Sequence, residues 1–369
     1  MEKSGEILLA LHEAPGIGWL TIHRLKEAFG GFAGIANADG HALRQAGLTE
    51  RQAGRVLAAC DRALAGGIFA EYRERGVGIM TAEDDDYPSW LSATQHRPPW
   101  VLYLKGDRRL LANPMIAVVG TRVPTAYGKR VARELAAALS AIGITVVSGL
   151  ARGIDGEAHA AALEGPGRTA AVLGTPIDEV YPREHAALSD AIAGKGLLIS
   201  EYPPGTPKTP GLFPLRNRII AGLCAGVVVV EADIGSGSLI TADLAMKDGR
   251  EVYAVPGPIS SPKSRGTLHL IKDGANVVTG VAEAVAEIAG HVSVQCPSAP
   301  IGAGFAGADD DLSEDEKKVL SFLHDRPVDA DRLMALTAFD FGHLHAVLLS
   351  LVMKNRIEQR PGPSYILLY

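Results

Sequence analysis

Three short stretches combine glycine with hydroxyl or guanidinium side chains, each shortly after an apolar run: Gly120-Thr121-Arg122, Ser148-Gly149-Leu-Ala-Arg152-Gly-Ile-Asp155 and Gly235-Ser236-Gly237-Ser238. Glycine lets backbone N–H groups approach a ligand closely, and hydroxyls add donors. Arginine supplies a planar fork that matches phosphate. Where such a turn opens a helix, the first N–H groups are unpaired and carry partial positive charge. The chemistry is therefore anion binding, with Thr121, Arg122, Ser148, Arg152, Ser236 and Ser238 on one rim. Lys208, Arg216, Arg218, Lys263 and Arg265 fall in neighbouring loops. Several phosphate sites in a row suit a polymeric ligand better than one mononucleotide. Phe213 admits two readings: stacking on a base, worth roughly 1–3 kcal/mol, or a hydrophobic staple for the helix that opens at Pro214. Arg216 and Arg218 are two residues apart and do not share a helix face, so one of them is a candidate structural residue.

Other chemistries are poorly served. No complete Gly-x-Gly-x-x-Gly is present. In Gly120 to Lys129 the glycines are too far apart for a P-loop, and Arg130 stands where Ser or Thr would hold magnesium. ATP hydrolysis is disfavoured. There is no His-Glu-x-x-His, no Cys-x-x-Cys and no Gly-x-Ser-x-Gly. Asp155, His159, Asp178, Glu201, Glu231 and Asp243 are scattered acid/base candidates. His159 follows Asp155 by four residues, so the two can meet on a helix face, and pairing or capping is a simpler role for them than catalysis.

The elements that position these residues are short apolar runs alternating with amphipathic ones. Runs at 115–119, 145–148, 169–173, 196–200, 227–230 and 251–255 read as strands, with helices between them. The expected fold class is α/β: a Rossmann-like, mostly parallel sheet covered on both faces, with ligand outside the strands' carboxyl ends. Gly78–Thr81 and Trp100–Leu104 are expected to extend that sheet. Residues 1–76 read as a small helical domain. There, helix, Pro15-Gly-Ile-Gly18 and helix resemble a helix-hairpin-helix, although a plain bundle turn is favoured because the turn brings almost no basic charge. The sheet domain is expected over 77–290 and a Gly/Ala/Pro/Ser-rich flexible linker over 291–311. Over 312–369, the capping box Ser313-x-x-Glu316 leads into three helices and a hairpin, a winged-helix-like pattern.

Composition bounds the setting. The 369 residues are 47% hydrophobic and 21% charged, with a formal charge of −6 and three separated cysteines. These values fit a soluble chain of two or three domains in a reducing compartment. No signal peptide is expected, nor an apolar run of about 18 residues. A local basic groove remains compatible with the acidic total.

The motifs together resemble the DNA-processing protein A family (DprA, also called Smf). The resemblance rests on Val118-Val-Gly-Thr-Arg122, Val147-Ser-Gly-Leu-Ala-Arg-Gly-Ile-Asp155 with His159, Ala171-Val-Leu-Gly174 with Asp178 and Tyr181-Pro182, and Ser200-Glu-Tyr-Pro203. It extends through Phe213-Pro-x-Arg-Asn-Arg-Ile-Ile220, Val230-Glu-Ala232, Ser236-Gly-Ser-Leu-Ile-Thr-Ala242 and Val255-Pro-Gly257. It implies a cytoplasmic protein of natural transformation that binds and protects incoming single-stranded DNA and loads the RecA recombinase. It further implies a homodimer through the Rossmann-like domain, no catalytic activity and no required cofactor. The DNA groove would use the Gly-Thr-Arg turn with Arg122, and basic and aromatic residues such as Lys208 and Phe213. The full expected DNA-binding set is Gly120, Thr121, Arg122, Ser148, Gly149, Arg152, Lys208, Phe213, Arg216, Arg218, Ser236, Gly237 and Ser238. Two rivals stand beside this reading. One is a Rossmann-like enzyme hydrolysing nucleoside monophosphates, with Glu201 or Glu231 as acid/base; the other is a nucleotide-sensing scaffold.

Charge sets the C-terminal region apart. Phe341 to Met353, where a DNA-reading helix would stand, carries no Lys or Arg, and the chain from Leu312 holds seven Lys/Arg against eight Asp/Glu. This region is expected to contact protein rather than duplex. A chain truncated near Gly290 should keep nearly full single-strand affinity, and a large loss in a titration of labelled strand would refute that assignment.

Overall fold

Each of the long apolar runs forms a strand. The sheet comprises β1 (Gly78–Thr81), β2 (Val101–Gly106), β3 (Met115–Val119), β4 (Thr145–Ser148), β5 (Thr169–Val172), β6 (Leu197–Ser200), β7 (Gly226–Val229), β8 (Glu251–Ala254) and β9 (Asn276–Val277). The computed structural model describes residues 2–207, 209, 211–295, 313–320, 322–323, 328–337, 339–353, 357–360 and 364–367. Lys208 and most of the expected linker lie outside the described residues. The chain divides into two units, Met1–Val292 and Ser293–Tyr369.

The strand order is β1-β2-β6-β5-β4-β3-β7-β8-β9. From β6 to β9 every pairing is parallel, whereas β1–β2 and β2–β6 are antiparallel. The parallel strands are largely apolar because helices cover both faces; all of Ile116, Val118, Val146, Val147, Val227 and Val228 are buried. From β3 the chain winds outward through β4, β5 and β6, then returns to the other side of β3 for β7, β8 and β9. That reversal opens a crevice at the carboxyl ends of β3, β4 and β7. β9 has only two residues, too short a run to read from periodicity.

The N-terminal helices are Glu2–Glu13, Trp19–Phe29, Phe32–Ala36, Gly40–Gln45, Glu50–Ala65 and Ile68–Glu74. Phe32–Ala36 and Gly40–Gln45, five and six residues long, were not expected from the sequence. The expected capping box at Thr49 forms: Gln52 N–H donates to Thr49 Oγ1 at 3.3 Å and Thr49 N–H to Gln52 Oε1 at 3.0 Å. The Pro15–Gly18 turn is closed by Arg55 Nη1 donating to Pro15 O at 2.5 Å. These helices share one apolar cluster with the sheet, in which Ile7, Leu9, Leu25 and Ile68 meet Trp100, Tyr103 and Leu198. Trp19 stacks on Trp100 at 5.4 Å, and its Nε1–H donates to Pro98 O at 2.7 Å. Glu13 accepts from the Tyr72 and Tyr103 hydroxyls and from Arg62.

In the second unit, helices Glu314–Leu320, Ala330–Thr337 and Phe341–Met353 accompany β10 (Val328–Asp329), β11 (Ile357–Arg360) and β12 (Ser364–Leu367). The strands pair antiparallel in the order β10-β12-β11, which is the winged-helix arrangement. Val319, Leu333, Leu344, Leu348 and Ile357 form its core. The Ser313 capping box forms as expected. Among the described residues no helix is long and apolar enough to cross a membrane.

A shared core has a measurable consequence. Trp100→Ala should cost about 3–5 kcal/mol, as for a large buried aromatic. Hydrogen exchange under mild denaturant should then show residues 2–75, β2 and β6 losing protection together. Loss confined to the helices would contradict the shared core.

Candidate functional site

The crevice is a cleft of about 630 Å³ lined by Gly120, Arg122, Tyr181, Phe213, Arg216, Ser236, Gly237 and Ser238, among others. Three loops build it, one from each strand at the reversal.

The first loop follows β3 and is clasped at both ends by one residue. Thr121 N–H donates to Glu231 O at 2.7 Å, while Thr125 gives its N–H (2.8 Å) and hydroxyl (2.5 Å) to the Glu231 carboxylate. Thr125 also caps helix Ala126–Ala141 by accepting from Gly128 N–H at 3.1 Å. The buried carboxylate sits where a Cβ on Gly128 would be. Arg122 stands exposed at the crest of this loop, and among the described residues no carboxylate pairs with it. Thr121 Oγ1 accepts from Val123 N–H at 3.3 Å, leaving its proton to donate.

The second loop, Ser148 to Ala151, forms the floor, and side chains take up its backbone groups. Asp155 Oδ2 accepts from Gly149 N–H (3.0 Å) and Ala151 N–H (3.4 Å). His159 Nε2 accepts from Leu150 N–H at 3.2 Å. Arg216 Nη1 donates to Gly149 O at 2.7 Å and also to Val172 O, so it ties the end of β4 to the end of β5. His185 Nδ1 donates to Leu150 O at 3.0 Å. These bonds hold Leu150 at φ 55°, a left-handed conformation that a leucine rarely adopts. Gly149 is required because a Cβ there would meet the Arg216 guanidinium at 2.5 Å.

Protonation follows from burial. Since His159 Nε2 accepts, its proton lies on Nδ1 and goes to Thr169 Oγ1 (2.7 Å), which in turn donates to Val146 O (2.6 Å). Burial lowers the His159 pKa to about 3, so the ring is neutral. Burial likewise lowers Arg216 to about 10, which leaves it charged at neutral pH. The Asp155 carboxyl is pushed up by burial, against the opposing pull of Arg216. Asp155 and His159 therefore act as caps for the floor loop, the simpler of the two roles the sequence allowed.

The third loop, after β7, opens helix Gly237–Lys247, whose first residues Gly237 and Ser238 line the cleft. Ser236 Oγ caps it by accepting from Ser238 N–H at 3.4 Å, and the two hydroxyls lie 2.8 Å apart. Asn217 Nδ2 donates to Gly237 O at 3.1 Å and joins this helix to Leu212–Leu223. Phe213, in the first turn of Leu212–Leu223, packs its ring against Gly174 and lies 5.1 Å from the ring of Tyr181. Tyr181 is 44% exposed and was not among the expected site residues. Its sequence signal was weak, an aromatic beside Pro182 in a loop.

Four of the expected phosphate ligands are placed differently from the expectation. Ser148 is fully buried, and its hydroxyl donates inward to Val118 O at 2.7 Å. Arg216 lines the cleft but is almost fully buried, its Nη1 donating to strand-end carbonyls, so it is a strut rather than a solvent-facing fork. Arg218 is taken up by both oxygens of Glu201 at 2.5 Å, in a largely buried pair. Arg152 is exposed, yet both its Nε and Nη2 donate to Glu184 at 2.7 Å. Arg265 is likewise paired with Asp233. Gly120, Arg122, Phe213, Ser236, Gly237 and Ser238 do converge on the cleft, Thr121 is not among its lining residues, and Gly149 and Arg152 line a smaller adjoining pocket.

Residues 78–289 match the family model of DNA recombination-mediator protein A, and residues 304–363 match that of the DprA winged helix domain. Protein Smf of Synechocystis is 33% identical over 97% of both chains. DNA processing protein DprA of Bacillus subtilis is 45% identical over 57% of this chain and 71% of that one. The structure of DprA from Streptococcus pneumoniae superposes with a TM-score of 0.64 at 35% identity, covering 76% of this chain and 96% of that one. DNA processing protein A from Helicobacter pylori, whose structure describes a single-stranded DNA binding mode, gives a TM-score of 0.53 at 31% identity over 57% and 96%.

The neutral buried histidine makes stability pH-dependent. Its folded pKa of about 3 lies below the unfolded value near 6.5, so between these pH values only the unfolded chain takes up the proton. His159 therefore lowers stability as pH falls through that window, by up to about 1.4 kcal/mol per pH unit. His159→Gln retains an acceptor and a donor, and urea midpoints measured from pH 7 to pH 4 should fall less steeply for it than for wild type. Equal slopes would contradict the neutral assignment.

Proposed function

The chain belongs to the DNA recombination-mediator protein A family, and from that premise we propose that it binds single-stranded DNA in the cleft without regard to sequence. The observation that carries this reading is Arg122: an exposed guanidinium with no carboxylate partner among the described residues, on a loop fixed by Glu231 and facing an aromatic wall. Arg122 takes a phosphate oxygen. The Gly237 N–H at the start of Gly237–Lys247, with the Ser236 and Ser238 hydroxyls, takes another. Phe213 and Tyr181 offer a face for a base, and stacking on a π-face tolerates any base. The buried Arg216 adds positive potential at the cleft wall. Helicobacter pylori DNA processing protein A, described for its single-strand binding mode, supports the same ligand.

In this reading the protein is a cytoplasmic homodimer, joined through the Rossmann-like region, that shields incoming strands and loads RecA on them without catalysis or cofactor. The winged-helix unit serves protein contacts. The nucleotide-hydrolase alternative has less support, since Glu201 is engaged with Arg218 and Glu231 with the Thr125 backbone and hydroxyl.

Anisotropy of labelled oligo-dT over a salt series tests this. Wild type should bind tightly at low salt, and more weakly to duplex. Arg122→Ala should bind roughly 10- to 100-fold more weakly, as for one charged hydrogen-bonded contact, with its salt slope shallower by about 0.7. Phe213→Ala should lose about 1–3 kcal/mol with the salt slope unchanged. Binding independent of strand length, together with turnover of a nucleoside monophosphate, would overturn the reading.

A further inference from the structure

Beyond the crest of Arg122 the cleft continues into a second pocket of about 450 Å³, lined by Arg122, Lys129, Arg152, Glu157, Glu184 and His185. Cations and carboxylates are paired across it. Arg152 holds Glu184 through Nε and Nη2, both at 2.7 Å, and Glu157 lies 3.7 Å from Lys129 and 3.2 Å from Arg133. The Arg152 contact is the two-pronged geometry in which a guanidinium also takes two phosphate oxygens. The pair is exposed, with side chains 60% and 52% accessible, so little free energy holds it closed.

We propose that this pocket is a second phosphate site for the next nucleotide of a bound strand, and that Glu184 is an anion standing in for that phosphate in the free protein. The inference rests on the single-strand reading of the main cleft. A strand held at Arg122 has its neighbouring phosphate delivered at high local concentration to Arg152, where it exchanges with the carboxylate. A free mononucleotide gains no such advantage, so the exchange favours polymers. Glu184 also keeps Arg152 extended in a phosphate-ready position. That benefit is small for an exposed pair, and the repulsion between carboxylate and phosphate outweighs it.

The test is a double-mutant cycle on the full chain with labelled oligo-dT, using Glu184→Gln, Arg152→Ala and both together. Both side chains are exposed, so melting temperatures should match wild type. Glu184→Gln should tighten binding about two- to fivefold at low salt, the scale of one surface ion pair. Its salt slope should steepen by about 0.7, because no orphaned carboxylate then recruits a cation. In the Arg152→Ala background the same substitution should change neither quantity. Wild-type binding with no gain in Glu184→Gln overturns the second site while leaving the first. A gain that persists without Arg152 also overturns it, because it marks only a general loss of negative charge. Failure of wild type to bind the strand at low salt removes both readings.

Discussion

The structure depends on how the parallel sheet ends. At the carboxyl edge the strand backbone runs out of ladder partners, yet the loops there are buried under helices, and unpaired buried carbonyls and amides are costly. The chain answers with side chains drawn from distant elements. Asp155 and His159 take the amides of the Ser148–Ala151 loop, Arg216 takes the carbonyls at the ends of β4 and β5, and Glu231 takes the loop after β3. Each of these polar groups is buried, and each is spent on backbone. The result is a rigid rim on which only the crest residues remain available to a ligand.

That division explains which parts of the site were legible in the sequence. Strands β3 to β8 could be read because burial on both faces leaves uninterrupted apolar runs. Gly120, Arg122, Phe213 and Ser236 to Ser238 could be read because glycine, hydroxyl and guanidinium recur directly after those runs. What could not be read was which charges were already taken. The partner of Arg152 lies 32 residues away and those of Arg216 lie 44 and 67 away, and no local pattern links them. Two-residue spacing separates Arg216 and Arg218 on the helix but does not say what each meets: one is engaged on backbone and the other on Glu201. The short elements Phe32–Ala36, Gly40–Gln45, β9 and β10 span too few residues to show any period.

Electrostatically, the molecule is acidic overall, and the ligand proposed for it is a polyanion. Carboxylates next to the cleft neutralise its arginines and lysines one by one: Glu184 for Arg152, Glu157 for Lys129 and Arg133, Asp233 for Arg265. A surface built this way does not attract phosphate indiscriminately, and its attraction is concentrated at Arg122, which among the described residues has no carboxylate partner. Several glycines of the motifs serve the same arrangement by clearance rather than by turning the chain. Gly149 makes room for the Arg216 guanidinium, Gly128 for the Glu231 carboxylate and Gly174 for the Phe213 ring.

The shared core of the N-terminal helices and the sheet also bears on how the chain is made. The helices of residues 2–74 leave the ribosome before the sheet, followed soon by β1 and β2. However, Leu198 on β6, which completes their apolar cluster, lies nearly two hundred residues after Glu2. At about 5–20 residues per second, Ile7, Leu9 and Leu25 wait on the order of ten to forty seconds for that surface to emerge. During that interval the nascent chain presents an open apolar face, a natural place for a chaperone to bind during synthesis.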